Sequence, residues 1–166
     1  MLFFLSAAEY NNVQNNTTKV KVHLNGGIAE ILEQHQDLMG RIDNNIIEIE
    51  TFFENRVEKL LFILQDAVFV VSNKGLDSKE EEKGTFVAVL GDKSREITES
   101  VTAASIASEI ERSKASITNE TALYNAMIGQ PVAVSINSKI YLLQQELSFL
   151  ERMSFIVEDM RKDKRS

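Results

Sequence analysis

Alternating apolar and polar residues in the first half of the chain predict short β-strands. Val20, Val22 and Leu24 alternate with polar side chains, so one face of this strand is apolar and the other polar. Further apolar runs predict the remaining strands, at residues 2–5, 46–51, 60–64, 67–71 and 85–90. Short strands with turn signals about ten residues apart are typical of a small antiparallel β-sandwich or barrel.

Polar and glycine-containing segments between these runs predict the turns. Residues 2–5 are expected to form an edge strand, followed by a polar turn over residues 11–16. Another turn is predicted at residues 25–27. Gln65 and Asp66 separate two apolar runs, which indicates a hairpin, although this is not a favoured turn pair. The charged residues 74–84 are expected to form an exposed loop; solvation is favoured over a role as a docking arm.

After Ile97 the spacing of apolar residues changes to three and four, which predicts an amphipathic helix over residues 97–113. Thr98, with Glu99 or Ser100, is the predicted cap at its start. A polar break is expected at residues 118–120. The residues that carry the helical spacing are Val101, Ala104, Ala107 and Ile110.

A second and longer helix is predicted after Pro131, the only proline in the chain. Its apolar stripe covers residues 136–160, about 25 residues or ~38 Å at ~1.5 Å per residue. A helix of this length must pack on a partner helix or on another chain. The predicted fold is therefore α+β in two parts: an antiparallel β-sandwich at residues 1–95 and an α-helical hairpin at residues 96–166. The predicted helix-partner face consists of Ile140, Leu143, Leu147, Leu150 and Val157.

Composition narrows the possible functions of the 166-residue chain. Its formal net charge of -7 argues against general nucleic-acid binding, which needs a basic face. The absence of cysteine excludes disulfides, thiolate metal sites and cysteine nucleophiles. No stretch approaches the roughly 20 apolar residues that cross a bilayer, so direct membrane insertion is not expected. The apolar residues 1–8 are too short for a secretory signal and carry no basic segment.

Catalytic motifs are not found in the sequence. Gly91 to Ser94 superficially resembles a phosphate-binding loop, but the glycine required five residues earlier falls on Phe86. Glu48 with Glu50 is an acidic pair on an alternating strand, where solvation is the default explanation. We therefore expect no enzyme activity, no catalytic residues, no cofactor and no metal. An enzyme with an unrecognised carboxylate pair is the weakest alternative.

Residues 27–38, GIAEILEQHQDL, resemble the signature G-x-x-G-I-L-P-x-H-x-P-L of one family. This family is the epsilon subunit of F-type ATP synthases, called delta in mitochondria. The second glycine and the two prolines are replaced by Glu30, Glu33 and Asp37. The flanking strands and the following helices occur in the family's order. The residues that match in register are Gly27, Ile31, Leu32, His35 and Leu38.

The resemblance implies a non-catalytic rotor subunit of an F-type or F-like ATPase. Such a subunit attaches a gamma-type shaft, below alpha- and beta-type catalytic subunits, to a membrane c-ring. The end of the sandwich around residues 25–29 and His35 is expected to face the ring. His35 is interpreted either as an interface residue or as one that pins the loop by a hydrogen bond, and His23 as simply exposed. The implied interface residues are Gly27, Ile28, Glu30, Ile31, His35 and Leu38.

The resemblance also bears on regulation and location. Some relatives bind ATP through I-D-x-x-R-A, and the matching residues 97–102 lack the aspartate, arginine and alanine, which predicts no ATP site. The long, continuous stripe of the second helix suggests a permanent partner surface, so structural attachment is favoured over regulated inhibition of hydrolysis. The expected location is the cytoplasmic face of a bacterial membrane, or the matrix side of the mitochondrial inner membrane. The alternative is a non-enzymatic adaptor that presents a coiled-coil-like helix to a cytoskeletal or membrane complex.

Overall fold

The computed structural model describes residues 1–8, 10–73 and 84–163. The chain divides into two compact units, Met1–Thr98 and Glu99–Ser166. The first unit is built from strands and the second from two helices, which confirms the predicted β-sandwich followed by an α-helical hairpin. Of the charged segment 74–84, only Gly84 is among the described residues, so the prediction for that loop lies outside them.

The strands pair in the order β2-β1-β8-β7-β6-β3-β4, and β5 pairs with β7. Among the described pairs, β1 with β8 is parallel and the others are antiparallel. The strands are β1 (Leu2–Ala7), β2 (Tyr10–Gln14), β3 (Thr17–Leu24), β4 (Gly27–Ile31), β5 (Leu38–Ile42), β6 (Asn45–Phe53), β7 (Arg56–Ser72) and β8 (Phe86–Glu96).

The N-terminal region differs from the prediction in two ways. β1 is not an edge strand, because it lies between β2 and β8. Asn11 and Asn12 do not form a turn but pair with β1 as part of β2, and the chain turns at Asn15 and Asn16 instead. Apolar alternation did not predict this strand, because most residues of β2 are polar.

A bend in β7 replaces the hairpin predicted at Gln65 and Asp66. The strand runs without interruption through both residues, and Asp66 has a left-handed φ of 46°. β5 and β6 pair with consecutive halves of β7, and the break between them falls opposite the bend, where Asn44 also has a φ of 46°. The inward-facing positions of β7 change from Phe62 and Leu64 to odd-numbered residues after the bend. One ribbon therefore contributes to both layers of the sandwich.

β8 also crosses the bend and continues to Glu96, beyond the strand predicted at residues 85–90. It pairs with both halves of β7, from Ser72 to Phe62. Gly91 lies opposite Ala67, and a Cβ on this glycine would lie 3.0 Å from the Ala67 Cβ. The glycine therefore permits a close approach between strands here and does not end one.

The core of the sandwich is made by the inward-facing residues of most strands. Tyr10 packs on its margin, with its ring centroid 5.5 Å from that of Phe62. The buried core consists of Phe3, Leu5, Val20, Val22, Ile31, Ile42, Ile47, Ile49, Phe62, Leu64, Ala67, Phe69, Val71, Val87 and Val89.

The second unit consists of α1 (Ala103–Ala126) and α2 (Val132–Asp163). The helices are antiparallel, because Ser113 Oγ near the middle of α1 donates to the Leu143 carbonyl. Nearer the connection, the Lys139 ammonium pairs with the Glu120 carboxylate. The connection contains Gly129, with a left-handed φ of 88°, in agreement with a second helix that begins after Pro131.

Both predicted limits of the first helix were wrong. Thr102, not Thr98, caps it: Thr102 Oγ1 accepts from the Ser105 amide at 3.1 Å, and Ser105 Oγ accepts from the Thr102 amide at 3.1 Å. This reciprocal capping box satisfies two backbone donors and so determines the start. No break occurs at residues 118–120, because packing of α1 against α2 carries the helix through its polar residues.

Candidate functional site

One outer face of the sandwich is apolar and exposed, and we call it the apolar face. Partner residues in a sheet project to the same side. The register therefore places side chains from β5, β7, β8, β1 and β2 in one row. Met39 is 73% exposed and Val13 55%, whereas Phe4 and Ala88 are half-buried. The row consists of Met39, Val70, Ala88, Phe4 and Val13.

A second row beside it extends the apolar face. Arg41, Val68, Leu90 and Ser6 are register partners across β5, β7, β8 and β1. Leu90 is 56% exposed, and Val68 is exposed as well. Arg41 donates to the Asp66 carboxylate at 2.7 Å, which places an ion pair at the margin of the face and raises the pKa of Arg41. Contiguous exposed apolar side chains are typical of protein-binding surfaces.

Sequence reasoning missed this surface, although a signal was present. Residues 67–71 and 86–90 are apolar at nearly every position. An antiparallel strand with one solvated face alternates, whereas an uninterrupted apolar run predicts that both faces are covered. In this chain several alternate residues of these apolar runs are exposed, for example Val68, Val70 and Leu90. The runs therefore indicate a second apolar face, which the described residues leave open to solvent.

The segment that carries the family resemblance is divided between a strand and a loop. Gly27, Ile28 and Glu30 lie on β4, where Ile28 is 60% exposed and Glu30 pairs with Lys21 at 3.8 Å. Ile31, at the end of the same strand, is fully buried in the core.

His35 and Leu38 lie beyond the C-terminal end of β4, after Ile31. The five residues of β4 separate the turn at Asn25 from the loop that contains His35, a strand length of roughly 16 Å at ~3.3 Å per residue. The structure therefore does not bring the two predicted ring-facing groups together. Leu38 begins β5 and packs against the core.

Loop 32–37, between β4 and β5, is held by side-chain hydrogen bonds at the positions where the family signature has prolines. Glu33 Oε1 accepts from the Thr85 amide at 2.7 Å, and Asp37 Oδ1 accepts from the Asn73 amide at 3.1 Å. Thr85 Oγ1 accepts from the Gln34 amide at 2.6 Å and donates to Asn73 Oδ1 at 2.8 Å. These bonds tie the loop to the end of β7 and to the start of β8.

The carboxylate of Glu33 is also held by an ion pair. The amino group of Met1 lies 2.7 Å from Glu33 Oε2. Hydrogen bonds from this ammonium and from the Thr85 amide hold the pKa of the Glu33 carboxyl below its ordinary value of 4.5. Within the same loop, His35 Nδ1 lies 2.7 Å from the Gln36 carbonyl, and the His35 carbonyl accepts from the Asn73 side chain. Among the described residues, the His35 side chain thus forms a hydrogen bond only with the adjacent residue, and the bond between His35 and Asn73 comes from the His35 backbone.

Charged side chains cover the outer face of β3 and β6. Glu50 lies between Lys19 at 3.0 Å and Lys59 at 3.3 Å. The hydrogen bond from Lys19, followed by that from Lys59, lowers the pKa of Glu50, and the same bond with Glu50 raises the pKa of Lys19. His23 is not simply exposed, because its Nε2 lies 2.6 Å from Glu48 Oε1. The acidic pair of Glu48 and Glu50 is thus matched by basic partners.

The predicted helix-partner face on α2 is largely covered within the chain. Ile140, Leu150 and Val157 are buried, and Leu143 and Leu147 are half-buried. The prediction that a long helix needs a partner helix is met by α1. The stripe on which the adaptor alternative depended is therefore not an open surface.

The described residues contain neither a cluster of metal-ligating side chains nor a helix that could cross a membrane. Within residues 1–8, 10–73 and 84–163, no group of three or more histidine, aspartate or glutamate side chains is arranged to hold a metal ion. Among the described helices, none is both long and apolar enough to cross a membrane.

Similarity of this chain to known proteins is found among solved structures. No family model and no curated protein matches the chain. Among solved structures, it is similar to a chain in the cryo-EM structure of the Euglena gracilis mitochondrial ATP synthase, OSCP/F1/c-ring assembly. That match has 16% sequence identity and a TM-score of 0.49, and it covers 87% of this chain and 76% of that chain.

Proposed function

We propose that this protein is a non-catalytic central-stalk subunit of an F-type or F-like rotary ATPase. In this role the sandwich lies below the alpha- and beta-type subunits, binds a gamma-type shaft and attaches that shaft to a membrane ring. The site of action is then peripheral, on the cytoplasmic face of a bacterial membrane or on the matrix side of the mitochondrial inner membrane.

The apolar face is the observation that carries this proposal. Met39 and Leu90 are large, apolar and exposed on a sheet whose other side is a closed core. Covering such a face removes apolar surface from water, at about 25 cal/mol per Å². A subunit that holds a shaft permanently needs a surface of this kind, whereas an enzyme needs a pocket with convergent polar groups.

The family segment supports the same proposal. Ile31 and Leu38, which match the signature, occupy core positions on the two strands that flank loop 32–37. Gln34 in that loop has a left-handed φ of 64°. Glu33 and Asp37 hold the loop through hydrogen bonds where the signature has prolines. The segment therefore remains ordered despite its departures from the signature.

The architecture also suits the transmission of torque. An elastic coupling stores work, so a stalk subunit must be stiff. The bent ribbon formed by β5, β6 and β7 joins both layers of the sandwich through backbone hydrogen bonds. Close packing around Phe62 and Phe69 resists deformation of the layers.

Affinity purification of the tagged chain from its native cells tests the proposal. Wild-type protein should retrieve alpha-, beta- and gamma-type subunits. A Met39→Glu/Leu90→Glu variant should lose them, because it places charges on the apolar face. Val57→Glu is the matched control, since Val57 is also exposed but lies on the β6–β7 hairpin.

Two results would overturn the proposal. One is wild-type protein that retrieves none of the three subunit types. The other is a double variant that retrieves them as well as the Val57→Glu control does. Circular dichroism of both variants establishes that the comparison is made between folded proteins.

A further inference from the structure

We propose that Asn25 is a site of spontaneous covalent modification, at which the side-chain amide cyclises onto the backbone nitrogen of Gly26. This inference is independent of the proposed function. Asn25 is the only asparagine in the chain that is followed by glycine. A glycine offers the least hindered backbone nitrogen, because it has no Cβ.

The reaction needs only water. The Gly26 nitrogen attacks Asn25 Cγ, a new N–C bond closes a five-membered imide, and the side-chain nitrogen leaves as ammonia. Water then opens the imide at either carbonyl, which yields aspartate or isoaspartate. Overall, one water is consumed and one ammonia is released, with no change of oxidation state.

The position in the fold leaves this reaction unobstructed. Asn25 and Gly26 form the two-residue turn between β3 and β4, and both are exposed. A Cβ built on Gly26 meets nothing within 4 Å, so the space around its backbone is open. Within the described part of the chain, neither the side-chain amide of Asn25 nor the Gly26 nitrogen makes a hydrogen bond.

Asn137 provides an internal comparison. It is exposed and is followed by the small residue Ser138, but it lies inside α2. The backbone nitrogens of a helix interior are engaged in hydrogen bonds to carbonyls four residues earlier. The nitrogen that would attack Asn137 is therefore held away from the side chain.

Both products would change the β3–β4 turn. Either adds a negative charge three residues before Ile28. Isoaspartate also lengthens the backbone by one methylene within a turn that is closed by the pair of Leu24 and Gly27. We therefore expect weaker pairing between Leu24 and Gly27, whereas the core pair of Val20 and Ile31 is retained.

The test is an incubation of the purified full chain in mildly alkaline buffer, followed by peptide mass spectrometry that separates aspartate from isoaspartate. Conversion at Asn25 should exceed that at Asn137 several-fold, with isoaspartate among the products. Gly26→Ala should slow the conversion several-fold. This variant should fold, because the added Cβ has room and Gly26 does not have a left-handed φ.

Three outcomes would overturn the proposal. Asn25 could convert no faster than Asn137, or Gly26→Ala could convert as fast as wild type. Conversion could also occur only in denaturant, which would mean that the folded turn protects Asn25.

Discussion

The ring of Phe69 lies against the backbone of Gly40, its register partner across β5 and β7. A Cβ on Gly40 would lie 2.5 Å from Phe69 Cε1, well inside van der Waals contact. Gly40 does not have a left-handed φ, so its backbone conformation does not call for glycine. Glycine suits this position because it has no side chain. The aromatic ring occupies the space that a side chain at residue 40 would fill.

Gly40→Ala should therefore destabilise the protein by about 1–3 kcal/mol through overpacking. Urea unfolding of the full chain measures the change. The double variant Gly40→Ala/Phe69→Leu should recover part of the loss, because the two residues are in direct contact and couple. Equal stability of Gly40→Ala and wild type would contradict the observed contact.

Ile31 and Ile28 lie on the same strand and should respond differently to truncation. Ile31→Ala removes a fully buried side chain and should cost about 2–5 kcal/mol. Ile28→Ala truncates an exposed side chain and should change stability by less than about 0.5 kcal/mol. Thermal or urea unfolding compares them, and similar losses would mean that β4 is paired in the wrong register.

Thr85 should prove essential for the order of loop 32–37. Thr85→Val leaves the Gln34 amide without its acceptor and Asn73 Oδ1 without its donor. The expected cost is about 0.5–1.5 kcal/mol for each hydrogen bond lost, because Gln34 and Asn73 are exposed residues. Hydrogen exchange at the Gln34 amide should accelerate in this variant.

Thr18→Val serves as the control for Thr85→Val. Thr18 is exposed and donates one hydrogen bond to the Glu50 carbonyl, so water can replace the lost donor. Its substitution should leave exchange at Gln34 unchanged. Unchanged exchange at Gln34 in Thr85→Val would instead show that the loop does not depend on this hydroxyl.

Glu50 should make the stability depend on pH in the acidic range. Hydrogen bonds from Lys19 and then Lys59 lower the folded-state pKa of Glu50 below its ordinary 4.5. The charged form is thus favoured by folding. Its contribution is present above the unfolded-state pKa and is lost as the pH falls through the folded-state pKa.

Urea unfolding of wild type and Glu50→Gln across this range measures the effect. Wild type should exceed the variant in stability near neutral pH, and the difference should shrink as the pH falls. A difference that grows toward acid pH would contradict the predicted sign.

The start of α1 should depend on Thr102. Thr102→Ala removes the acceptor for the Ser105 amide and should cost about 1 kcal/mol. Hydrogen exchange over residues 103–106 should accelerate. Thr121→Ala, at an exposed position within α1, should not destabilise the protein, because alanine is the better helix former. Equal effects of the two substitutions would rule out Thr102 as the cap.

Local sequence patterns predicted strands and helices well where the burial of one apolar face determined the spacing of apolar residues. The alternation around Val20 identified β3, and the helical spacing before and after Pro131 identified two helices. Burying one apolar face forces a period of two on strands and of about 3.6 on helices. The sequence pattern alone therefore predicted that strands are followed by helices.

Where the predictions failed, long-range pairing outweighed local preference. Gln65 and Asp66 are polar enough to suggest a turn, but pairing with β8 on one side, and with β5 and β6 on the other, keeps β7 continuous. Gly91 suggested an end and instead permits close packing against Ala67. The sequence of β2 is too polar to indicate a strand, yet β1 supplies its hydrogen-bond partners.

The residues alone determined the class of the fold, the division into a strand-rich part and a helical part, and the segment that resembles the epsilon family. Only the tertiary structure decided which matching residues are buried, which side chains hold loop 32–37, and where the apolar face lies. The physical reason is that exposure belongs to a face assembled from several strands. Met39 and Val13 are 26 residues apart in the chain, and only the intervening strands β7, β8 and β1 align them in one row.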